Sequence, residues 1–148
     1  MTNKFISIPK RNILLLIADD LGCNLGCYGA DVKTPNIDAF AAESVLFTHA
    51  FTASCSNSRS VIYTGLHTHQ NGQYGLAGKQ HHFVIFDHIK TSPAFFWEQG
   101  YLSALIGKVH VGHDRSYPWE FKEESGTRDV AWVADKAGEV FERARDEG

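Results

Sequence analysis

Ile13-Leu14-Leu15-Leu16-Ile17-Ala18, closed by Asp19-Asp20, is the stretch whose reading decides the fold. It is apolar without alternation, which predicts a short strand buried on both faces, as in a parallel sheet lying under helices. Beyond it, Gly22, Gly26 and Gly29 mark an irregular loop. Thr34-Pro35 predicts a helix with Thr34 as N-cap and Pro35 at the first helical position; Ile37, Phe40 and Ala41 form its apolar face. Residues 45–51 allow a second short strand.

A further helix is expected to start at or just after Cys55 and to run through Val61-Ile62-Tyr63 to a stop at Gly65. Residues 67–82, rich in His, Gln, Asn and Gly, read as a long functional loop. Ser92-Pro93 opens a helix that Gly100 ends, and residues 101–106 read as a strand leading into Gly107-Lys108-Val109-His110. Residues 117–126 read as loop. Val130, Val133, Ala137, Val140, Phe141 and Ala144 then space out an amphipathic helix. Strand, helix, helix, strand, helix is the order of an α/β fold with a mostly parallel sheet flanked by helices. In such sheets ligands gather at the carboxyl ends of strands, where both Asp19-Asp20 and Lys108/His110 fall.

Composition sets the bounds. A chain of 148 residues suits one domain, and 43% hydrophobic with 12% aromatic residues is enough for a packed core. Net charge is −3 and no Lys/Arg block stands out, which argues against nucleic-acid binding. The run from Ile13 to Ala18 is too short to span a bilayer and too short for a signal-peptide core. With the polar start Met1-Thr2-Asn3-Lys4, the chain as written enters no secretory route and is expected in the cytoplasm, with no membrane partner. Cys23, Cys27 and Cys55 make an odd count, against a disulfide framework. Cys23 and Cys27 lack a second pair at zinc spacing and read as ordinary thiols.

Three groups of residues carry candidate chemistry. Asp19 and Asp20 repel each other unless neutralised, and a hard divalent ion is the usual solution; a solvated turn is the plainer alternative. Cys55 at a helix N-terminus with Arg59 one turn later would surround an oxyanion with N–H groups and a guanidinium. The alternative is a buried Cys with Arg59 in a surface ion pair. Lys108 and His110, two apart in an extended segment, would point the same way, one a fixed charge and the other a proton carrier. For an isolated pair a solvated loop is the alternative. His67, His69, His81, His82 and His113 are further candidates, most of them expected as loop histidines with ordinary hydrogen bonds.

Together these pieces resemble the sulfatase family. The strand ending in Asp19-Asp20, with Gly22 and Thr34-Pro35-Asn36-Ile37-Asp38, is similar to the family's N-terminal metal-binding segment. Cys55-Ser56-Asn57-Ser58-Arg59 followed by Thr64-Gly65 resembles its C-x-P-S-R signature and T-G, and Gly107-Lys108-Val109-His110 its G-K-x-H. Within the family, Thr64-Gly65-Leu66, His69-Gln70-Asn71-Gly72, Tyr74-Gly75-Leu76, His81-His82-Phe83 and His110-Val111-Gly112 look most like the heparan N-sulfatase (sulfamidase) branch.

The resemblance implies an alkaline-phosphatase-like α/β fold and hydrolysis of sulfate esters or N-sulfate groups on a small molecule or glycan. It implies Ca²⁺ bound by Asp19, Asp20 and residue 55, with Cys55 converted to formylglycine by a formylglycine-generating enzyme. Arg59 would hold the aldehyde hydrate, while Lys108 and His110 bind sulfate and assist proton transfer. Asn57 departs from the signature's proline, within the segment that the converting enzyme reads. An unconverted Cys55 would leave a site that binds anions but turns over poorly.

Family members are much longer, and the chain stops on a polar helix end, Arg143 to Gly148. The expectation is therefore the N-terminal portion of a single sulfatase catalytic domain, truncated at the C-terminus and inactive alone, with an Asp-Asn pair and further cationic residues beyond Gly148. A homodimer is compatible with this reading. Its rivals are a phosphoesterase or phosphonate hydrolase of the same superfold, and a non-catalytic module that binds sulfated ligands.

Overall fold

Two features of the sequence, a proline and a tight glycine, order the first part of the chain. The computed structural model describes residues 10–147 apart from Lys79 and Arg128; the polar start Met1–Lys4 lies outside them. The chain divides into two compact units, Met1–Thr48 and His49–Gly148. In the first, helix α1 (Pro35–Ala42) opens on Pro35, as the fixed proline φ favours. Thr34 takes the N-cap position without making a cap bond. Its hydroxyl donates instead to Asp38 Oδ1 at 2.8 Å and accepts from the Gly26 amide at 2.9 Å, while Cys27 N–H donates to the same carboxylate at 2.7 Å. A Cβ on Gly26 would fall 2.5 Å from Asp38 Oδ2, so only glycine lets the 3-10 turn Gly26–Tyr28 close onto this carboxylate.

The strand expected at Ile13–Ala18 is absent from the described residues, and so is the one allowed over residues 45–51. A strand exists only through the ladder it shares with a neighbour. Among the described residues no neighbour pairs with either stretch, and Leu14 and Leu16 are exposed. The apolar face of α1 is also open, with Phe40 74% exposed.

The second unit holds the core. Helix α2 (Cys55–Thr64) stops at Gly65, whose φ of 68° lets its N–H reach Val61 O at 2.8 Å. A four-residue helix α3 (Thr68–Asn71) lies inside the region expected to be loop; Gln70 Oε1 accepts from the His67 amide at its start. Helix α4 (Ser92–Glu98) begins and ends where Ser92-Pro93 and Gly100 place it. Strand β1 (Ala104–Gly107) is shorter than expected and pairs in parallel with β2 (Phe121–Glu124), in register from Ala104 opposite Phe121 to Gly107 opposite Glu124.

β2 corrects the loop expected over 117–126. Phe-Lys-Glu-Glu carries no β-branched signal, and the pairing is set by backbone, with Phe121 N–H donating to Ser103 O at 3.1 Å and Ser125 N–H to Gly107 O at 3.3 Å. Helix α5 (Val130–Glu147) packs on β1 and half-buries Val133, Ala137, Val140 and Ala144, the expected stripe; its other apolar members, Val130 and Phe141, stay exposed. No helix among the described residues is long and apolar enough to cross a membrane.

Tyr63, Ile85, Leu105, Val109, Val111 and Tyr117 form the buried cluster, with Ile89 and Trp119 against it. The Tyr63 ring meets Tyr117 and Trp119 edge-on, at centroid distances of 5.8 and 5.4 Å. That contact fixes α2 against the segment following β1. Helices together with a parallel strand pair, α5 lying on β1, are compatible with an α/β fold.

Candidate active site

Cys55 is the first residue of α2, entered from an extended Ser54 with φ −83° and ψ 147°. Ser58 Oγ ties the entry by donating to Ala53 O, and it accepts from Thr52 Oγ1 at 2.6 Å. Cys55 has φ 32°, a region where a side chain is strained unless its surroundings hold it there. The surroundings include His110, also at positive φ (47°), whose Nδ1 stands 3.1 Å from Cys55 Sγ. Core packing of Tyr63 against Tyr117 and Trp119 brings the two segments together.

Arg59 follows one helical turn after Cys55, as its spacing requires, and its Nη1 donates to Cys55 O at 3.3 Å. It is only 4% exposed, which overturns the alternative of a surface ion pair. A buried guanidinium beside the helix start adds a fixed positive charge to the N-terminal end of the helix dipole. Arg59 also acts on Tyr63: burial pushes that phenol above its ordinary pKa, and the nearby guanidinium offsets part of the rise.

Lys108 lies half-buried, two residues before His110. The extended geometry expected for this pair does not hold, because the backbone turns at Gly107 (φ 96°) and again at His110. Period-two alternation therefore says nothing about where Lys108 points. Asp19 and Asp20 are exposed in the first unit, with Asp20 at φ 54°. Their carboxylates are the hard oxygen donors that Ca²⁺ takes, but two residues are short of the six to eight ligand oxygens usual for that ion. Among the described residues no group of three or more His, Cys, Asp or Glu side chains could hold a metal. Cys23 is exposed, Cys27 half-buried, and both are free thiols.

Behind the helix lies a polar network that the sequence pattern did not reveal. Ser56, Asn57, Ser60, Asn71 and Gln73 are all buried. Ser56 Oγ accepts from the Ala77 amide at 3.2 Å, and Asn57 Nδ2 donates to Gln73 O at 2.7 Å. Ser60 Oγ donates to Asn57 O, while Asn71 Nδ2 reaches Thr64 Oγ1 at 3.2 Å and Leu66 O at 3.1 Å. Gln73 in turn donates from N to Asn71 Oδ1 at 2.8 Å and from Nε2 to Gly75 O and Phe83 O at 2.6 Å each. The available signal was the polar stripe Ser56/Asn57/Ser60/Thr64 on one helix face, opposite a loop rich in amides.

The five further histidines are exposed, His69 within α3, with His67 stacking on His69 at centroids 5.8 Å apart. Two of them, His82 and His113, line an open cleft of about 480 Å³ with Tyr74, Phe83 and Arg115. Arg115 Nη2 donates to Asp87 at 2.5 Å, which holds that carboxyl below its ordinary pKa.

With this geometry in hand, comparison with known proteins is specific. The family model described as Sulfatase matches residues 11–137. Human N-sulphoglucosamine sulphohydrolase is 46% identical over 122 residues, covering 79% of this chain and 24% of the relative. Mouse iduronate 2-sulfatase is 41% identical over 120 residues, 74% of this chain and 21% of the relative. An ulvan-active sulfatase of Formosa agariphila is 37% identical over 115 residues, 75% of this chain and 22% of the relative. The chain thus spans between 21% and 24% of the length of these three relatives.

Proposed function

The chain belongs to the sulfatase family, and from that premise we propose that the protein hydrolyses sulfate esters or N-sulfate groups on a sugar, with residue 55 as nucleophile. The observation that carries this reading is the 3.1 Å approach of Cys55 Sγ to His110 Nδ1, over a buried Arg59. Likeness to a protein named for N-sulphoglucosamine makes an N-sulfated sugar the first substrate to test. The larger fold is the alkaline-phosphatase-like sheet, of which this chain supplies an N-terminal part.

Conversion of Cys55 to formylglycine would supply an oxygen nucleophile toward sulfur, in exchange for the sugar's oxygen or nitrogen as leaving group, and a second hydroxyl through which sulfate would be released and the aldehyde restored. Asp19 and Asp20 would contribute carboxylates to Ca²⁺, which polarises sulfuryl oxygens when bound. The remaining steps belong to this chain's own side chains. His110 Nδ1 lies where a proton on the group borne by residue 55 can be taken up and returned. Arg59 anchors the Cys55 carbonyl, and its charge favours an anion at the helix start. Lys108, on the segment that carries His110, is assigned to the sulfate oxygens.

The test uses the full-length protein co-produced with a formylglycine-generating enzyme, assayed on N-sulfoglucosamine and on an aryl sulfate. Mass spectrometry of the Cys55 peptide gives the converted fraction, and Ca²⁺ removal by chelation should abolish turnover. Activity surviving in Cys55→Ala would refute the assignment. Faster cleavage of a phosphate ester with the same leaving group would move the protein to the phosphoesterase reading.

A further inference from the structure

Asn57 stands where the signature that this segment resembles has proline, and its structural surroundings give it a task of its own. It is the third residue of α2, two after Cys55, and only 7% exposed. Its side-chain amide donates to Gln73 O at 2.7 Å, and that carbonyl belongs to a residue wholly removed from solvent. The Asn57 carbonyl accepts from Ser60 Oγ at 2.9 Å, so the residue is held both by its side chain and by its backbone. Beside it, Ser56 Oγ accepts from the Ala77 amide. The first turn of α2 is therefore fastened to the 71–77 loop at two consecutive residues, immediately after the residue proposed as nucleophile.

The first N–H groups of a helix have no partner within it, so its opening turn frays unless something outside holds it. Proline at such a position would stiffen the turn through its ring-fixed φ. Asparagine has no ring, and here an amide hydrogen bond to the buried Gln73 carbonyl supplies the restraint. What it restrains is a Cys55 held at positive φ and 3.1 Å from His110, a geometry that relaxes if the turn is free to rewind.

We propose that Asn57 is a positioning residue, holding the side chain of residue 55 against His110 through its hydrogen bond to Gln73 O. The inference rests on the reading of residue 55 as nucleophile for its catalytic consequence, but not for its geometry. Two experiments separate these. In the full-length protein with the converting enzyme, Asn57→Ala and the isosteric Asn57→Asp lower kcat per formylglycine about tenfold while KM stays within about twofold, because the reacting atoms are displaced and substrate binding is not.

In the same protein produced without conversion, iodoacetamide alkylation of Cys55 is timed against exposed Cys23, the reagent reference, and half-buried Cys27, which reports loosening of the first unit, while circular dichroism reports the fold as a whole. Both Asn57 variants are expected to change the Cys55 rate by about threefold or more, in the direction produced by His110→Ala, with the other two thiols unmoved. If wild type fails to hydrolyse sulfate yet the alkylation rates shift, the function reading fails and the positioning role stands. Asn57→Asp that folds and leaves the Cys55 rate at the wild-type value overturns the positioning role.

Discussion

Cys55 Sγ and His110 Nδ1 are 3.1 Å apart across 55 positions of sequence, and both residues sit at positive φ. Neither is a glycine, so each conformation must be held by what surrounds it. On the Cys55 side the holders are the buried bonds of Ser56 and Asn57 and the Arg59 guanidinium. On the His110 side they are its flanking buried residues, Val109 and Val111, whose side chains belong to the core. The pair is thus a product of core packing, and its chemistry can be perturbed without touching the core.

His110→Ala removes the imidazole facing residue 55 from a half-buried position. In the converted full-length protein, kcat is expected to fall by about 10²-fold or more, the scale of a lost proton-transfer group, with KM changed only a few-fold. Steady-state kinetics on one sulfated substrate, corrected for formylglycine content, provide the check. A kcat within threefold of wild type would remove His110 from the mechanism.

Arg59→Lys keeps the positive charge and discards the planar fork that reaches Cys55 O. Folding is expected to survive, since the charge remains, while kcat/KM falls about tenfold or more because the anchor on the Cys55 carbonyl is lost. Arg59→Ala should be worse for stability, by about 3–5 kcal/mol if removal of a buried charge strands its partners. Circular dichroism with parallel kinetics separates the two effects; an Arg59→Lys enzyme of full activity would show that charge alone suffices.

Legibility from sequence followed how local the determining physics is. α1, α2 and α4 were readable because Thr34-Pro35, Gly65, Ser92-Pro93 and Gly100 act within one turn of themselves. The α5 stripe was readable because its period is carried by the sequence alone. β2 was not, since Phe121–Glu124 gains its strand character from backbone pairing with β1. Ile13–Ala18 misled for the complementary reason: apolar content alone does not make a strand without a partner ladder. In the candidate site, Cys55 and Arg59 were legible from helical spacing. The approach of His110 to Cys55, and the buried amides of Asn57, Asn71 and Gln73, depend on tertiary contacts that no local pattern encodes.

Asp38 ties the 3-10 turn Gly26–Tyr28 to the start of α1 by accepting from Cys27 N–H and Thr34 Oγ1. Asp38→Ala removes both bonds to a charged acceptor and should weaken this unit by about 1.5–3 kcal/mol, the value of one such bond, since the freed groups are only half-buried and water can replace part of the loss. Hydrogen exchange at the Cys27 and Gly26 amides is expected to accelerate, while the Tyr63 core keeps its protection. Unchanged exchange at Cys27 would mean that the carboxylate is not what orders the turn.

Tyr117 packs edge-on against Tyr63, and its hydroxyl is buried with no hydrogen-bond partner among the described residues. Burial pushes its pKa well above the ordinary 10.0, with a further push from Tyr63, and burial also raises Tyr63. A phenol that stays protonated in the folded chain and ionises when unfolded costs stability only at high pH. Once pH passes about 10, the unfolded chain binds fewer protons than the folded one, so unfolding free energy falls as pH rises further. Below about pH 9 both states are neutral and neither tyrosine contributes a pH dependence.

Tyr117→Phe therefore has two expected effects: the alkaline decline becomes shallower, and stability at neutral pH is unchanged or improved by up to ~1 kcal/mol, because an unpaired buried hydroxyl is gone. Tyr117→Ala, by contrast, should cost about 3–5 kcal/mol through the cavity it leaves against Tyr63. Urea unfolding of the three proteins at about pH 7 and about pH 10.5, on either side of the phenol range, distinguishes these outcomes. A clear loss of neutral-pH stability in Tyr117→Phe would mean that the hydroxyl is hydrogen-bonded, and an alkaline decline no shallower in Tyr117→Phe would refute the pH argument.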